Sequence, residues 1–164
     1  MCSRYYIEID DVELRSIVAE VERKTAVKTG EIFPTNLAPV LSPDGIMKAM
    51  RWGFPKYDGK GEIINARSET AAEKNMFRRP MMEGRCLVPA SWYFEWERRG
   101  KQKVKYALMA AEKSPVWMAG LSKTDLQTGD SSFVILTRPA WSGISFIHDR
   151  ICLLYTSDAA DDLI

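Results

Sequence analysis

Cysteine directly follows Met1, and this position gives it a chemistry that an internal cysteine lacks. Removal of Met1 would leave a thiol and a free α-amine on the same residue. The typical pKa of an α-amine is about 7.7–8.0, so a useful fraction is unprotonated near neutral pH. Such an amine condenses with an aldehyde to a Schiff base, and the neighbouring thiol then closes a thiazolidine ring. Cys2 is therefore a candidate aldehyde trap; a small buried cysteine without chemical function is the alternative.

Two further residues are candidates for proton transfer. Glu95 lies in the strongly aromatic run 91–96, where partial desolvation would raise the pKa of its carboxyl group and suit it to acid–base work. An exposed strand glutamate is the alternative. His148 is the only histidine and precedes the charged pair Asp149-Arg150. His148 could act in catalysis, or its imidazole could have a purely structural role.

The hexapeptide 65–70 follows the apolar pair Ile63-Ile64, which places it at the end of a strand. The amide of Asn65 could orient a substrate or hold an N-terminal amine. The guanidinium of Arg67 offers a rigid fork for a phosphate group. A turn asparagine and a surface arginine are the alternatives.

Short elements must position these residues. Residues 4–9 predict a strand, and Asp10 or Asp11 is expected to cap a helix with apolar residues at helical spacing. Ser68 is expected to cap a second helix over residues 69–76. Further strands are predicted at 38–41, 46–52, 85–88, 92–97, 104–110, 115–120 and 132–137.

This pattern predicts a single α+β domain with a curled, mainly antiparallel, barrel-like sheet and a few short helices. Turns are expected at 42–45, 99–101 and 128–130. In the strand around Glu95, alternation places Trp92, Phe94 and Trp96 on one face, and we expect most of these aromatic residues in the core.

The composition is that of a globular protein, with 46% hydrophobic and 27% charged residues among 164. No apolar run approaches bilayer length and no signal peptide is expected, so we predict a cytoplasmic, nucleoid-associated location, or a nuclear one in a eukaryote. The three cysteines form no C-x-x-C pair, and we expect neither a metal nor another cofactor.

Net charge is only +1, but basic residues concentrate between positions 98 and 105. This run is typical of a solvated hairpin loop, and a local phosphate-binding face is the alternative.

Nine segments of the chain share their order with a known family. They are Met1-Cys2-x-Arg4, Pro34-Thr35-Asn36 with Ala38-Pro39-Val40, Arg51-Trp52-Gly53-Phe54, Asn65-Ala66-Arg67-Ser68-Glu69-Thr70, Arg85-Cys86-Leu87-Val88-Pro89-Ala90, Phe94-Glu95-Trp96, Ala119-Gly120-Leu121, Ile135-Leu136-Thr137 and Ile147-His148-Asp149-Arg150. Together they resemble the SRAP family (SOS-response-associated peptidase domain), from residue 1 to about 150.

The resemblance implies a DNA-damage-response protein that binds abasic sites in single-stranded DNA and links to them covalently through Cys2 after Met1 removal. It implies an enzyme of lyase or hydrolase type, with removal of Met1 by the chain itself or by a separate aminopeptidase. The expected partner is single-stranded DNA with abasic sites. We expect the protein to act as a monomer and not to bind a membrane. An abasic deoxyribose opens to an aldehyde, which is the electrophile that an amine–thiol pair captures.

The resemblance also implies roles for individual residues. Cys2 is the nucleophile, Asn65 positions its amine or the sugar, Glu95 transfers protons and His148 assists opening of the sugar ring. Arg4 and Arg67 are expected phosphate ligands. Further DNA-binding candidates are Asn36, Trp52, Trp96, Thr137 and Arg150.

The chain departs from the family pattern at a few positions. Ser3 stands where the family usually has glycine, and Ile151-Cys152 stands where Met-Pro is expected. We therefore predict an SRAP-like domain over residues 1–152, truncated relative to the family, and an atypical, non-native tail over 153–164.

Two other functions compete with covalent capture. A non-covalent reader of modified or single-stranded DNA would depend on Arg67 and Trp52 and not on Cys2. A cysteine-dependent peptidase would use the Cys2 thiol with Glu95 and His148, and would tolerate acetylation of the N-terminal amine.

Overall fold

Strands dominate the computed structural model, which describes residues 1–111 and 115–155. Its two helices are α1 (Val12–Glu22) and α2 (Asn75–Glu83). Its strands are β1 (Tyr5–Ile7), β2 (Gly30–Ile32), β3 (Leu37–Leu41), β4 (Met47–Trp52), β5 (Phe54–Pro55), β6 (Glu62–Ile63), β7 (Asn65–Arg67), β8 (Arg85–Ala90), β9 (Trp92–Arg99), β10 (Gln102–Leu108), β11 (Val116–Thr124), β12 (Ser131–Pro139) and β13 (Arg150–Cys152). The predicted single α+β domain is confirmed.

Five strands close into a barrel, since β11 pairs with β8, β8 with β3, β3 with β4, β4 with β12, and β12 again with β11. Only the β4–β12 pairing in this ring is parallel. Closure leaves the ring without a free edge, which matches the predicted barrel-like sheet. The core includes the buried side chains Val40, Met50, Trp52, Val88, Met118, Phe133 and Ile135.

A second sheet, in the order β10-β9-β1-β2, carries the N-terminus. Strand β1 pairs with β9 through Tyr5 opposite Tyr93, and the backbone N–H of Phe94 donates to the carbonyl of Arg4 at 3.0 Å. This antiparallel pairing lays the first residues of the chain beside Glu95.

Several local predictions are confirmed. The Asp11 carboxylate accepts a hydrogen bond from the backbone N–H of Leu14 at 2.9 Å, which caps α1. The helix buries Leu14, Val18 and Val21. The turn at 42–45 joins β3 to β4, and Gly100 and Gly129 adopt positive φ in the two other predicted turns.

Two expectations were wrong. Ser68 caps no helix: residues 68–73 form turns, and α2 begins only at Asn75. The backbone N–H of Ser68 instead donates to the carbonyl of Thr137, because β7 runs beside β12. Around Glu95, the core-facing residues are Tyr93 and Glu95 themselves, while Trp92, Phe94 and Trp96 are half-buried on the outer face.

The division at residue 152 remains a prediction. Strand β13 ends at Cys152, and the main chain continues to pair beyond it, with Leu153 N–H donating to the Leu136 carbonyl at 2.8 Å. Residues 156–164 of the predicted tail lie outside the described residues. Neither helix in the described ranges is long and apolar enough to cross a membrane.

Candidate active site

The N-terminal amine lies between the two predicted proton-transfer residues. The nitrogen of Met1 is 3.3 Å from Oε2 of Glu95 and 2.8 Å from Nε2 of His148. The side-chain amide of Asn65 donates to the carbonyl oxygen of Cys2 at 2.7 Å. The structure therefore brings all four predicted catalytic residues together, although they are far apart in the sequence.

Cys2 is fully buried, whereas Met1 is 51% exposed. The Cys2 thiol lies 3.9 Å from the carbonyl oxygen of Arg4. While Met1 is attached, the nitrogen of Cys2 is an amide and its sulfur is closed to solvent. In this form the amine–thiol pair does not exist.

Glu95 is 1% exposed, which is unusual for a carboxylate. Burial raises its pKa to about 7, against the opposing effect of the N-terminal ammonium. Its second oxygen, Oε1, is buried and has no hydrogen-bond partner among the described residues. A carboxyl group with a pKa near neutral can both donate and accept a proton, and its unpaired oxygen leaves one hydrogen-bonding position unused.

His148 contacts the amine with one ring nitrogen and the protein with the other. Its Nδ1 lies 3.0 Å from the backbone nitrogen of Arg150 and 2.8 Å from the Asp149 carboxylate. If Nδ1 accepts from Arg150, Nε2 carries the proton and faces an uncharged amine; if Nδ1 donates to Asp149, Nε2 accepts from an ammonium. Burial and the N-terminal charge lower the pKa of His148, which favours the neutral ring that both arrangements require.

Asn65 is held in place through the hydrogen bond that Trp52 makes to its neighbour Ile64. Trp52, on β4, donates its indole N–H to the carbonyl of Ile64 at 3.1 Å, and Asn65 starts β7 directly afterwards. The Asn65 amide oxygen is buried without a hydrogen-bond partner among the described residues. The amide thus has a spare acceptor beside Cys2.

The predicted DNA-binding role of Trp52 needs correction. Its side chain is 0% exposed, packed against Tyr5 at 5.2 Å and stacked with Phe133 at 6.2 Å between ring centroids. A ring buried on both sides has no face for a nucleotide base. Trp52 instead anchors the strand that carries Asn65.

Thr137 and Arg150 are also placed differently from a surface DNA contact. Thr137 is 0% exposed, and its hydroxyl accepts from Nε of Arg150 at 3.0 Å. The Arg150 guanidinium donates to both carboxylate oxygens of Glu69 at 2.8 Å each. The guanidinium of this DNA-binding candidate is therefore occupied by a carboxylate, and it fixes the turn after β7 against β12 and β13.

Three other DNA-binding candidates reach the surface. Arg4 is partly exposed; its guanidinium lies over the ring of Phe33 at 4.1 Å and near that of Trp96 at 5.5 Å. It also donates to Glu31 at 3.1 Å. Trp96 is half-buried, and Arg67 is exposed at the end of β7.

Asn36 turns its side-chain oxygen inward, where it accepts from the backbone N–H of Phe33 at 2.9 Å. The preceding Thr35 has φ of 76°, a left-handed backbone that a β-branched residue rarely adopts. The Asn36 hydrogen bond closes this strained turn, so its first role is to shape the loop beside Arg4.

A cleft of about 670 Å³ opens from the N-terminus. It is lined by Met1, Ser3, Arg4, Glu95, Trp96, Arg98, Lys103, Lys105, Ile147 and His148. Its cations Arg98, Lys103 and Lys105 belong to the basic run 98–105, for which a phosphate-binding face was the alternative interpretation, but they were not predicted individually as site residues. Strand alternation from Trp96 could have found them, because every second residue of the β9–β10 hairpin lies on one face.

No group of three or more His, Cys, Asp and Glu side chains in the described ranges is arranged to hold a metal ion. The three cysteines are buried as free thiols. The cleft brings together the amine, a carboxyl group, an imidazole and several cationic side chains.

Fold and site together define a class of small α+β barrel proteins. In this class the N-terminal amine is held between a buried glutamate and a histidine. A family model described as "SOS response associated peptidase (SRAP)" matches residues 1–164, and the chain belongs to this family. The predicted resemblance is thereby confirmed.

Its relatives include bacterial and vertebrate proteins. The chain is 37% identical to the abasic site processing protein YedK of Escherichia coli, over 66% of this chain and 50% of that protein. It is 30% identical to the abasic site processing protein YoqW of Bacillus subtilis, over 96% and 77% of the two chains. The corresponding values for the abasic site processing protein HMCES of Xenopus tropicalis are 28%, 73% and 44%. The matched region thus covers 50% of the length of YedK and 44% of the length of HMCES.

Solved structures share the fold. A protein from Bacteroides thetaiotaomicron aligns with a TM-score of 0.76 and 24% identity, over 95% of this chain and 78% of that one. A protein from Bordetella bronchiseptica aligns with a TM-score of 0.73 and 23% identity, over 93% and 83%. At this identity the likeness concerns the fold alone.

Proposed function

We propose that the chain, after removal of Met1, binds single-stranded DNA as a monomer and captures abasic sites as a covalent thiazolidine through Cys2. The observation that carries the proposal is the N-terminal amine held 3.3 Å from Glu95 and 2.8 Å from His148. The names of YedK, YoqW and HMCES as abasic site processing proteins support it.

Removal of Met1 would move the α-amine one residue along the chain, about 3.8 Å in Cα spacing, and would free the Cys2 thiol. Asn65 holds the Cys2 carbonyl at 2.7 Å, which keeps the new N-terminus in the cleft beside Glu95 and His148. Holding amine and aldehyde together replaces a bimolecular encounter by an intramolecular one.

The proposed reaction has two bond-forming steps. The Cys2 amine attacks the aldehyde carbon of the opened sugar and one of its protons passes to the sugar oxygen. Glu95 in its protonated form then donates to this hydroxyl, which leaves as one water, and the Glu95 carboxylate takes back a proton from the nitrogen of the resulting iminium to give the imine. The thiol then adds across the C=N bond, its sulfur bonding to carbon and its proton passing to nitrogen. His148 assists ring opening of the sugar, and hydrolysis of the same imine would reverse the link.

Intact mass spectrometry tests this proposal. Processed protein incubated with abasic single-stranded DNA should give one adduct whose mass is the sum of both molecules less one water, stable to heating. Cys2→Ala should give no heat-stable adduct, yet should be trapped by borohydride, because its amine still forms the imine.

A chain with one alanine inserted between Met1 and Cys2 provides the matched control, since it keeps the thiol and separates it from the amine after processing. A normal heat-stable adduct from Cys2→Ala, or from the insertion variant, would overturn thiazolidine formation. Cys2-independent binding alone would point to a non-covalent reader.

A further inference from the structure

The β9–β10 hairpin contributes three cations to the cleft that holds the N-terminus: Arg98, Lys103 and Lys105. None of them has a part in the chemistry proposed for Cys2. Their side chains project from the same face of the hairpin as Trp96, because the register sets Lys103 opposite Arg98 and Lys105 opposite Trp96.

The opposition of Arg98 and Lys103 is unfavourable in the free protein. Like charges directly across two strands destabilise a hairpin. Both residues are exposed, and neither forms an ion pair within residues 1–111 and 115–155.

Other cations on the same hairpin have carboxylate partners. Arg99 contacts Glu97 at 2.9 Å, and Lys105 contacts Glu31 at 2.7 Å. Lys101, in the turn of the hairpin and outside the cleft, has no carboxylate partner in the described ranges either. Among the lysine and arginine side chains that line the cleft, the unpaired charge is therefore confined to Arg98 and Lys103, at the distal end of the face that starts at Trp96.

Resting on the proposed function, we propose that Arg98 and Lys103 form a phosphate subsite for the DNA strand that flanks the abasic nucleotide. A phosphate bridging the two side chains would remove their repulsion. The planar Arg98 fork suits two phosphate oxygens, and Lys103 adds a mobile point charge.

The spacing along the strand fits a nucleotide chain. Trp96 and Arg98 are two residues apart, about 7 Å along β9, with the indole nearer to Glu95. A base stacked on Trp96 would thus precede a phosphate at Arg98 as the strand leaves the cleft. This order combines a stacking platform with a cationic track, which favours single-stranded DNA of any sequence.

The test compares the double variant Arg98→Gln and Lys103→Gln with a control, Lys24→Gln and Arg78→Gln. Both pairs change net charge equally, and the control residues are exposed, without ion pairs in the described ranges, and outside the cleft. Affinity for a thymidine oligonucleotide without a lesion is measured by fluorescence anisotropy over a range of salt concentrations.

The hairpin variant should bind about tenfold more weakly near 0.1 M salt, and its log–log salt slope should be shallower by about 1.4, for two lost phosphate contacts on a single strand. The control should change affinity by about twofold or less, with an unaltered slope. Equal effects of the two variants would overturn the subsite, since net charge alone would then account for the loss.

Crosslinking to oligonucleotides with the abasic site at either end gives a second readout. The hairpin variant should crosslink more slowly only to the oligonucleotide whose strand extends over the hairpin. An equal loss of crosslinking rate with both oligonucleotides would contradict the subsite. Failure of the proposed function would show differently, as the absence of any adduct with the wild-type protein.

Discussion

At the scale of single residues, the burial of Glu95 governs the chemistry that the site can perform. Its pKa of about 7 places both protonation states within reach at neutral pH. Glu95→Gln cannot transfer a proton, so crosslinking to abasic DNA should slow by about 100-fold and lose its dependence on pH near 7. Rates measured by gel shift between pH 5 and 9 would check this.

Glu97→Gln is the control, because Glu97 lies two residues along β9 and contacts Arg99 and Tyr106. It should leave the rate close to that of the wild type. A Glu95→Gln protein with the wild-type rate and pH profile would remove Glu95 from the proposed reaction.

The same carboxyl group makes stability depend on pH. The pKa of Glu95 in the folded protein is about 7, above its ordinary value of 4.5. Between these two pH values the folded protein therefore binds more protons than the unfolded chain. The contribution of Glu95 to stability is full below about pH 4.5 and is lost as the pH rises through 7, which lowers the free energy of unfolding by about 3 kcal/mol. Urea unfolding of the Met1-retaining chain at several pH values should show this fall, and Glu95→Gln should abolish it.

At the scale of elements, Trp52 connects β4 to the start of β7. Trp52→Phe keeps most of the buried volume and loses the hydrogen bond to the Ile64 carbonyl, so it should cost about 1–2 kcal/mol of unfolding free energy. Because the ring is buried, affinity for single-stranded DNA should stay within about twofold. A large loss of affinity at unchanged stability would restore the predicted DNA-binding role of Trp52.

Arg150 joins three elements: the turn after β7 through Glu69, β12 through Thr137, and its own strand β13. Arg150→Ala removes charge-assisted hydrogen bonds from a nearly buried position and should lower Tm by about 5 °C. Thr137→Val removes one acceptor and should lower it less. Differential scanning fluorimetry at neutral pH compares them.

The pairing of Glu69 with Arg150 predicts that stability changes with pH in the direction opposite to that for Glu95. Pairing with Arg150 lowers the pKa of Glu69 to about 2, so the pair's contribution is present above about pH 4.5 and lost as pH falls toward 2. The difference in Tm between the wild type and Arg150→Ala should therefore become smaller as the pH is lowered from 4.5 toward 2. A constant gap would show that the ion pair adds nothing to stability.

At the scale of the whole molecule, the fold keeps all three thiols out of solvent while Met1 is present. A thiol reagent should therefore label no cysteine quickly in the native Met1-retaining chain, one after Met1 removal, and all three in denaturant. Labelling followed by mass spectrometry counts them. Rapid labelling of Cys2 in the Met1-retaining chain would contradict the shielding by the N-terminal residue.

Local sequence signals predicted much of this molecule. The Asp11 cap, the turns at Gly45, Gly100 and Gly129, and most strands depend on neighbours a few residues away. The Ser68 cap failed because a long-range pairing of β7 with β12 overrode the local preference.

The sequence alone determined which reactive groups the chain carries: an amine and thiol at Cys2, a carboxyl at Glu95 and an imidazole at His148. Only the tertiary structure decided that these groups meet, that Trp52 and Thr137 are buried, and that Arg98 and Lys103 face the same cleft. The physical reason is that alternation along a strand defines two faces, but strand pairing and closure of the barrel determine which face meets the core.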